Sequence, residues 1–500
     1  MLEMLTQDWS FMMMGTLLTV VATLWAWQRL RTTLSLPSGP WGVPVLGYLP
    51  WLDEQVPHES LTDLARRYGP IYSLRLGSVL AVVLSDCRII RQALSQEACS
   101  GRAPLFLTHG IMQGYGLICA EGERWKEQRR FVAGCLRTLG MVKVGARRDK
   151  MEHRIGRCVQ QCLERLRKLC EEPMDPSLVL LDSMGNAISS LVFGKTWEEN
   201  DPVWRWLANT QEEGTKLIGV AGAINFLPFL RFLPKYQRTM EYLLSGKEKS
   251  HQLYASMIAE HNSEADDVIG AFLSEMKRRN DIGDEGFYTV PQFHHLLADL
   301  FGAGLDTTLT TLRWFILFMA QHPNVQARIH EELDEVLGKR WPTLNDAPVL
   351  SYTQAAISET QRIRSVVPVG IPHGTTQVTT IEGYRIPAGT MIIPLQWAVH
   401  MDPEVWPEPE EFRPERFLLS DGRYYKRENF IPFQTGKRVC VGEELAHMLL
   451  FLFGATILHQ FQLSVPPGVE LDLRGENGIT LTPKHQCLVF TPRHGTSSSE

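Results

Sequence analysis

The run WSFMMMGTLLTVVATLWAW, Trp9 to Trp27, holds nineteen residues without one charge, and no other stretch narrows the structural options of this chain so sharply. As a helix it would span about 28 Å, close to the apolar thickness of a bilayer. Asp8 precedes it, Arg29 and Arg31 follow it, and aromatic residues stand at both ends. The positive-inside rule then puts the remainder of the chain in the cytosol. A cleaved signal peptide is the alternative, but no small-residue cleavage site follows and the nine cysteines, an odd number, do not suit secretion. The expectation is an uncleaved anchor over residues 1–28.

Next comes LPSGPWGVPVLG (Leu36 to Gly47), whose three prolines and three glycines cannot continue a helix. Residues 29–47 therefore read as a stiff hinge between membrane and folded body. The rest, 48–494, reads as one large domain ahead of a polar tail, 495–500. IYSLRLGSVLAVVLSD (Ile71 to Asp86) is β-branched, apolar and broken by Gly77, which predicts a hairpin. A second small β region is predicted at TTIEGYRIPAGTMIIP, and helical periodicity dominates elsewhere, as in RIGRCVQQCLERLRKLCEE. The fold class is mainly α with a small β region. INFLPFLRFLPKY (Ile224 to Tyr236) suits either a buried loop or a segment dipping into a bilayer interface.

Lys plus Arg total 50 against 56 Asp plus Glu, so no global basic field points to nucleic acid. No CxxC pair occurs, which argues against a zinc cage, and Cys158 and Cys162 fit apolar packing on a helix better than metal ligation.

Several short stretches carry chemistry. FQTGKRVCVG (Phe433 to Gly442) sets one cysteine among glycines and cations, where Arg438 and neighbouring amides can stabilise a negative sulfur. ISETQRI puts Glu359 and Arg362 three apart on one helical face, which in isolation is an ordinary surface ion pair. The long apolar helix from Leu296 to Pro323 carries Asp306, Thr307 and Thr308 where aliphatics belong, and mid-helix threonines often bond back to the preceding turn. Gly302 and Gly304 imitate part of a dinucleotide fingerprint, but no strand precedes them and the third glycine is missing. ERWKEQRRF places Trp125 and Arg129 one helical turn apart, close enough to stack.

Taken together, Phe433, Gly436, Arg438, Cys440 and Gly442 meet the pattern FxxGxRxCxG, and the chain resembles the haem-thiolate monooxygenases, the cytochrome P-450 family. The resemblance covers essentially everything after the anchor, in order: hinge, WxxxR, acid-alcohol helix, ExxR, PERF and cysteine loop. It implies that family's mostly helical fold around haem b, with Cys440 as the iron ligand. It further implies that Glu359, Arg362 and Arg416 form a buried structural triad. Ala303, Gly304, Asp306 and Thr307 match the acid-alcohol motif, making Asp306 and Thr307 the proton-delivery pair during oxygen activation. Trp125, Arg129, Arg438, His373 and Arg102 match contacts to the haem propionates. By analogy, Ala303, Val366, Ile371 and Ile479 line the substrate pocket.

The implied reaction is NADPH- and O2-dependent hydroxylation of a lipophilic molecule. The chain has no second domain for flavin or nicotinamide, so electrons would come from NADPH–cytochrome P-450 reductase, with cytochrome b5 as an accessory partner. Lys126, Arg130 and Lys437 are a candidate basic patch for such an acidic donor. The location implied is the endoplasmic reticulum membrane, with the catalytic domain cytosolic. FVAGCLRTLGM and CVGEELAHMLLFLF are similar to arthropod microsomal steroid hydroxylases of the moulting-hormone pathway, implying an ecdysteroid-precursor hydroxylase, at the sterol side chain. The rival readings are a generalist xenobiotic or fatty-acid hydroxylase, a haem-thiolate isomerase, and a noncatalytic haem sensor.

Overall fold

A computed structural model describes Thr16, residues 35–217, Gly219 and residues 222–493. The anchor expected over residues 1–28 lies outside them apart from Thr16, as does the polar tail. Among the described residues no helix is long and apolar enough to cross a membrane.

The β region begins with the predicted hairpin. β1 (Ile71–Leu76) and β2 (Val79–Leu84) pair antiparallel, from Ile71 opposite Leu84 to Leu76 opposite Val79. Gly77 makes the reversal possible with a φ of 58°. β3 (Gly101–Arg102), β4 (His373–Gly374), β5 (Thr379–Ile381), β6 (Tyr384–Ile386) and β7 (Met391–Pro394) follow along the chain. β7 pairs parallel with β2 and antiparallel with β4, and β4 pairs antiparallel with β3. The resulting order is β1-β2-β7-β4-β3. Its register sets Arg102 directly opposite His373, although 271 positions separate them in the sequence.

The hinge is held against this sheet. Ser73 N–H donates to Ser38 O at 3.1 Å, the Ser73 hydroxyl donates to Pro37 O at 2.7 Å, and Gly47 bridges to Leu76. A Cβ on Gly39 would sit 1.7 Å from Ser73 O, so only glycine admits this approach.

The helices form the larger body. They include α1 (Pro57–Tyr68), α2 (Cys87–Ser95), α3 (Gly122–Thr138), α4 (Ala146–Lys168), α5 (Ser177–Val192), α6 (Pro202–Leu217), α7 (Pro234–Ala259), α8 (Val268–Asp281), α9 (Val290–Gln321), α10 (Pro323–Leu337), α11 (Ser351–Ile363), α12 (Gln396–His400) and α13 (Glu443–Gln460). On α4 the buried residues Met151, Ile155, Cys158, Val159, Cys162 and Leu166 recur at helical spacing, so the cysteine pair lies in a packing stripe.

α9 is the central element. Thr289 caps its start by accepting from Gln292 N–H, and Pro291 occupies the first turn, where no amide partner is lost. Its end is enforced by Pro323, which cannot extend the amide ladder. α5, α7, α11 and α13 pack around it, which is why it is apolar on nearly every face. Trp314, Phe315 and Phe318 are fully buried there, each contributing roughly 2–3 kcal/mol relative to exposure.

Candidate active site

Three local frames position the residues. The first is the cysteine loop. Gly436 adopts a φ of 75°, and a Cβ there would meet Leu94 O of α2 at 2.3 Å, so the loop lies flush on that helix. Cys440 N–H then donates to Phe433 O at 3.0 Å, closing the loop. The Cys440 side chain keeps accessible surface, yet protein crowds it so closely that burial raises its thiol. Both hold for a sulfur on the floor of a concavity rather than on an outer face. The Gly442 amide and the Arg129 charge pull the other way and favour thiolate.

The second frame supports that loop from behind. Glu359 and Arg362, both wholly buried, pair through Nε–Oε2 at 2.7 Å and Nη2–Oε1 at 2.8 Å. Arg416 adds Nε–Oε1 at 3.2 Å, and Arg413 N–H donates to the same oxygen at 2.9 Å. The remaining guanidinium donors satisfy carbonyls, Arg362 at His400 and Pro409, Arg416 at Pro407 and Glu408. Sequence reasoning missed His400, which joins the triad to the cysteine loop. Its carbonyl accepts from Arg362, its Nε2 accepts from Ile431 N–H at 3.0 Å, and its Nδ1 faces the Ser365 hydroxyl at 2.7 Å. Burial and the Arg362 charge push its pKa down to about 3, so the ring is neutral and Nε2 is free to accept. Gln396 and Gln434 add a second tie, Gln396 donating to Pro432 O and accepting from Gln434.

The third frame is a group of basic side chains. Arg438 donates to Ser100 O and Ala120 O, both at 2.5 Å, and Arg102 donates to Ile118 O at 2.7 Å and to Ile371 O and Pro372 O at 3.3 Å. Arg129 donates to Val439 O at 2.6 Å, beside the cysteine. The Trp125 ring is covered by Arg438 at 4.4 Å, while Arg129 lies 6.0 Å away, so the local spacing pointed to the weaker of two stacking partners. Among the described residues none of these three arginines forms an ion pair. Burial pushes Arg102 down to about 10, and burial with Arg102 and Arg129 nearby pushes Arg438 down to about 8. His373, expected among the propionate contacts, lies with this group opposite Arg102 on the sheet. Its Nδ1 lies 2.9 Å from Cys99 O, and burial holds its pKa near 3, so it contributes a neutral ring.

The guanidinium hydrogen bonds all go to carbonyls; Asp299 and Glu121 lie near enough to offset part of the charge on Arg102, and Glu121 part of that on Arg438, without forming an ion pair, and an anion among the three would offset more. A planar group carrying two carboxylates, whose metal takes a thiolate, meets both the cations and Cys440. The residues present therefore fit a haem.

On α9, Ala303 is exposed although the helix is otherwise largely buried, and Thr307 is half-buried. The Thr307 hydroxyl donates to Ala303 O at 2.7 Å, the back-bonded state of a helical threonine. Asp306 turns elsewhere. Its Oδ2 accepts from the Thr480 hydroxyl at 2.9 Å, and burial raises its pKa to about 6 against the opposing pull of that bond and of Arg313. Gly302 is tight because a Cβ would lie 2.7 Å from the Gln211 amide of α6. Val366, Ile371 and Ile479 are each half-buried, and Leu481 N–H donates to Val366 O at 2.8 Å, which draws Val366 and the loop of Ile479 together. Asp299 was also missed: it accepts from Leu117 and Ile118 amides at 2.6 and 2.8 Å and fastens the loop after Arg102 to α9. A separate cavity of about 560 Å3, lined by His251 and His294, shares none of these residues.

Lys126 and Lys437 both pair with Glu97, at 3.1 and 3.0 Å, so the basic patch beside the cysteine loop is partly neutralised.

Residues 37–490 match the family described as Cytochrome P450. The chain is similar to Cytochrome P450 306a1 of Drosophila melanogaster, with 44% identity covering 91% of this chain and 88% of the relative. It is 36% identical to Cytochrome P450 18a1 of the same organism, covering 97% and 92%. With Cytochrome P450 2J2 of Homo sapiens it shares 34% identity, covering 95% and 96%.

Proposed function

The chain belongs to the cytochrome P450 family, the haem-thiolate monooxygenases, and from that premise we propose that it hydroxylates a steroid, an ecdysteroid precursor attacked at the sterol side chain. The family works with haem iron, O2 and electrons that NADPH supplies through a reductase. The observation that carries the site assignment is the accessible Cys440 sulfur close to Arg129, with Arg102 and Arg438 gathered in the same region and none of the three in an ion pair. In this reading Cys440 ligates the iron, while the three arginines with Trp125 hold the propionates. The haem supplies oxygen activation. Burial lifts the pKa of Asp306 to about 6, close enough to neutral for the carboxylate to take up and release a proton, and Thr307 passes it on by turning its hydroxyl away from Ala303 O. Ala303, Val366, Ile371 and Ile479 offer apolar contact and no charge, which suits a sterol body.

Support for the substrate class comes from the higher identity to the arthropod relatives, 44% and 36%, than to the human one at 34%. The single-pass anchor over residues 1–28, attachment to the endoplasmic reticulum and a role for cytochrome b5 are parts of the same proposal. Exposed Trp41 and Val45 on the hinge and Phe229 and Phe232 after the short helix Ala223–Phe226 favour it. These two segments are neighbours, since a Cβ on Gly77 would touch Phe226 O while Gly77 N–H bonds Leu46 O. Fractionation of a chain lacking residues 1–28 tests the anchor; undiminished retention of a variant that also carries Phe229→Ser and Phe232→Ser refutes this attachment.

The deciding experiment reconstitutes the purified full chain in vesicles with NADPH–cytochrome P450 reductase and offers sterols, fatty acids and drug-like compounds in parallel. A sterol gaining one oxygen only when NADPH is present is the expected result. Conversion of fatty acids alone would replace the substrate class, and conversion without NADPH would replace the reaction.

A further inference from the structure

The acid on α9 is held by a residue 174 positions away. Thr480 lies in the loop between β9 (Glu476–Asn477) and β10 (Leu481–Thr482), after β8 (Phe461–Ser464). That loop is fixed on three sides. Ile479 N–H donates to Thr215 O of α6 at 3.0 Å, Leu481 N–H to Val366 O, and the Trp314 indole of α9 to Leu481 O at 2.8 Å. Gly478 is pressed so near α6 that a Cβ would lie 2.7 Å from Thr215 O. The Thr480 hydroxyl therefore approaches Asp306 from a rigid support. Its proton goes to Asp306 Oδ2, since an ionised carboxylate only accepts, and its oxygen is then free to accept from Thr482, 3.3 Å away.

We propose that Thr480 is a positioning residue for the proton-carrying acid: by donating to Oδ2 it fixes the carboxylate plane and leaves Oδ1 as the oxygen that takes up and releases the proton. This rests on the monooxygenase reading above and deepens it. A hydroxyl donating to Oδ2 lowers that oxygen's basicity, so a water proton adds at Oδ1 and leaves from the same atom, with no electrons moved. The neighbour Ile479 belongs to the expected substrate pocket, so a ligand there would lie one peptide unit from the residue that holds Asp306. Other charges facing the carboxylate are Glu212 and Lys216 of α6 and Arg313 of α9, and His485 reaches Glu212 at 3.7 Å.

The test compares Thr480→Val, which keeps shape and loses the donor, with Thr480→Ser, which keeps the donor. The infrared carboxyl band of Asp306, assigned by its loss in Asp306→Asn, is titrated in the resting full-length holoenzyme. Loss of a hydrogen bond to the charged form should raise the Asp306 midpoint by about one pH unit in the Val variant and leave the Ser variant at the wild-type value. The share of NADPH lost to peroxide should rise in the Val variant alone. An unshifted band in Thr480→Val overturns the proposal, as does a Ser variant that behaves like Val. Should Thr480→Val fail to load haem, Thr480→Ala read against Thr480→Ser gives the same comparison. Failure of wild-type protein to show the thiolate carbon monoxide spectrum would instead sink the monooxygenase reading, so the two failures are distinguishable.

Discussion

Replacing Glu359 with Gln should unseat the cysteine loop without touching it. The carboxylate accepts from Arg362 Nε and Nη2, Arg413 N–H and Arg416 Nε, at 2.7, 2.8, 2.9 and 3.2 Å. All of these partners are donors, so a glutamine amide must point its own donors at one of them. The guanidiniums of Arg362 and Arg416 stay buried at 0% and 6% side-chain exposure, now without their shared anion. Removing one partner of a buried pair costs about 3–5 kcal/mol, against a total stability on the order of 5–15 kcal/mol for a folded domain. The strain has a direct path outward, because Arg362 holds the His400 carbonyl and the His400 ring holds Ile431 N–H nine residues before Cys440. The assay is a urea titration followed by both helical circular dichroism and the reduced carbon monoxide spectrum. The expected result is a loss of about 3 kcal/mol or more, with the thiolate band converting to the inactive form before the helices melt. A loss below about 1 kcal/mol, the value of an ordinary surface pair, or coincident transitions with an unchanged thiolate band, would refute the reasoning.

Gly436→Ala forces a side chain into a left-handed position costing roughly 1–2 kcal/mol and against Leu94 O, a backbone atom that cannot step aside; the inactive carbon monoxide form should predominate, and a wild-type spectrum would disprove the flush loop. Thr307→Ala removes the hydroxyl now donating to Ala303 O. Product formation should fall by about 10²-fold, the low end for a positioned proton donor, while NADPH oxidation continues as peroxide, and full coupling would end the relay role. His485 lies between Asp175 at 2.9 Å and Glu212 at 3.7 Å, and the hydrogen bond to Asp175 together with the nearby Glu212 carboxylate pushes it up to about 9. A histidine raised on folding stabilises fully below its unfolded value of 6.5 and loses that contribution as pH rises through about 9. Thermal melts should thus show a fall in midpoint across that window which flattens in His485→Asn, and identical slopes would contradict the assignment.

What the sequence revealed followed the range of its patterns. Glu359 and Arg362 are one helical turn apart and the cysteine loop fits within ten residues, so each could be matched inside a short window, although the family resemblance rather than spacing implied that the pair is buried. Arg438 takes its acceptors from Ser100 and Ala120, more than 300 positions earlier, and Thr480 meets Asp306 across 174; no periodicity reaches that far. His400 looked like any histidine in QWAVH, since its role depends on a neutral tautomer created by burial. INFLPFLRFLPKY stayed ambiguous because it has two faces: Phe226 and Leu227 are buried against the β1–β2 hairpin while Phe229 and Phe232 face out, and mean hydropathy averages them.

The basic cluster and the cysteine loop act as one electrostatic device. Arg438 sits in the loop two residues before Cys440, yet its guanidinium is spent on the carbonyls of Ser100 and Ala120, which anchor the segments around β3. Arg129 reaches from α3 to Val439 O, so the loop is gripped from two directions by cations that form no ion pair, Arg438 being only partly offset by Glu121. Carbonyl dipoles orient these guanidiniums but do not cancel their charge, and Arg129 is the one whose charge reaches the cysteine and favours thiolate. The same charge that favours a sulfur anion on one side attracts carboxylates on the other. In the proposed reading, a group bringing two carboxylates and a thiolate-seeking metal would be bound by charges the fold already holds in place, and its binding would stabilise the arginines beside the proposed ligand sulfur.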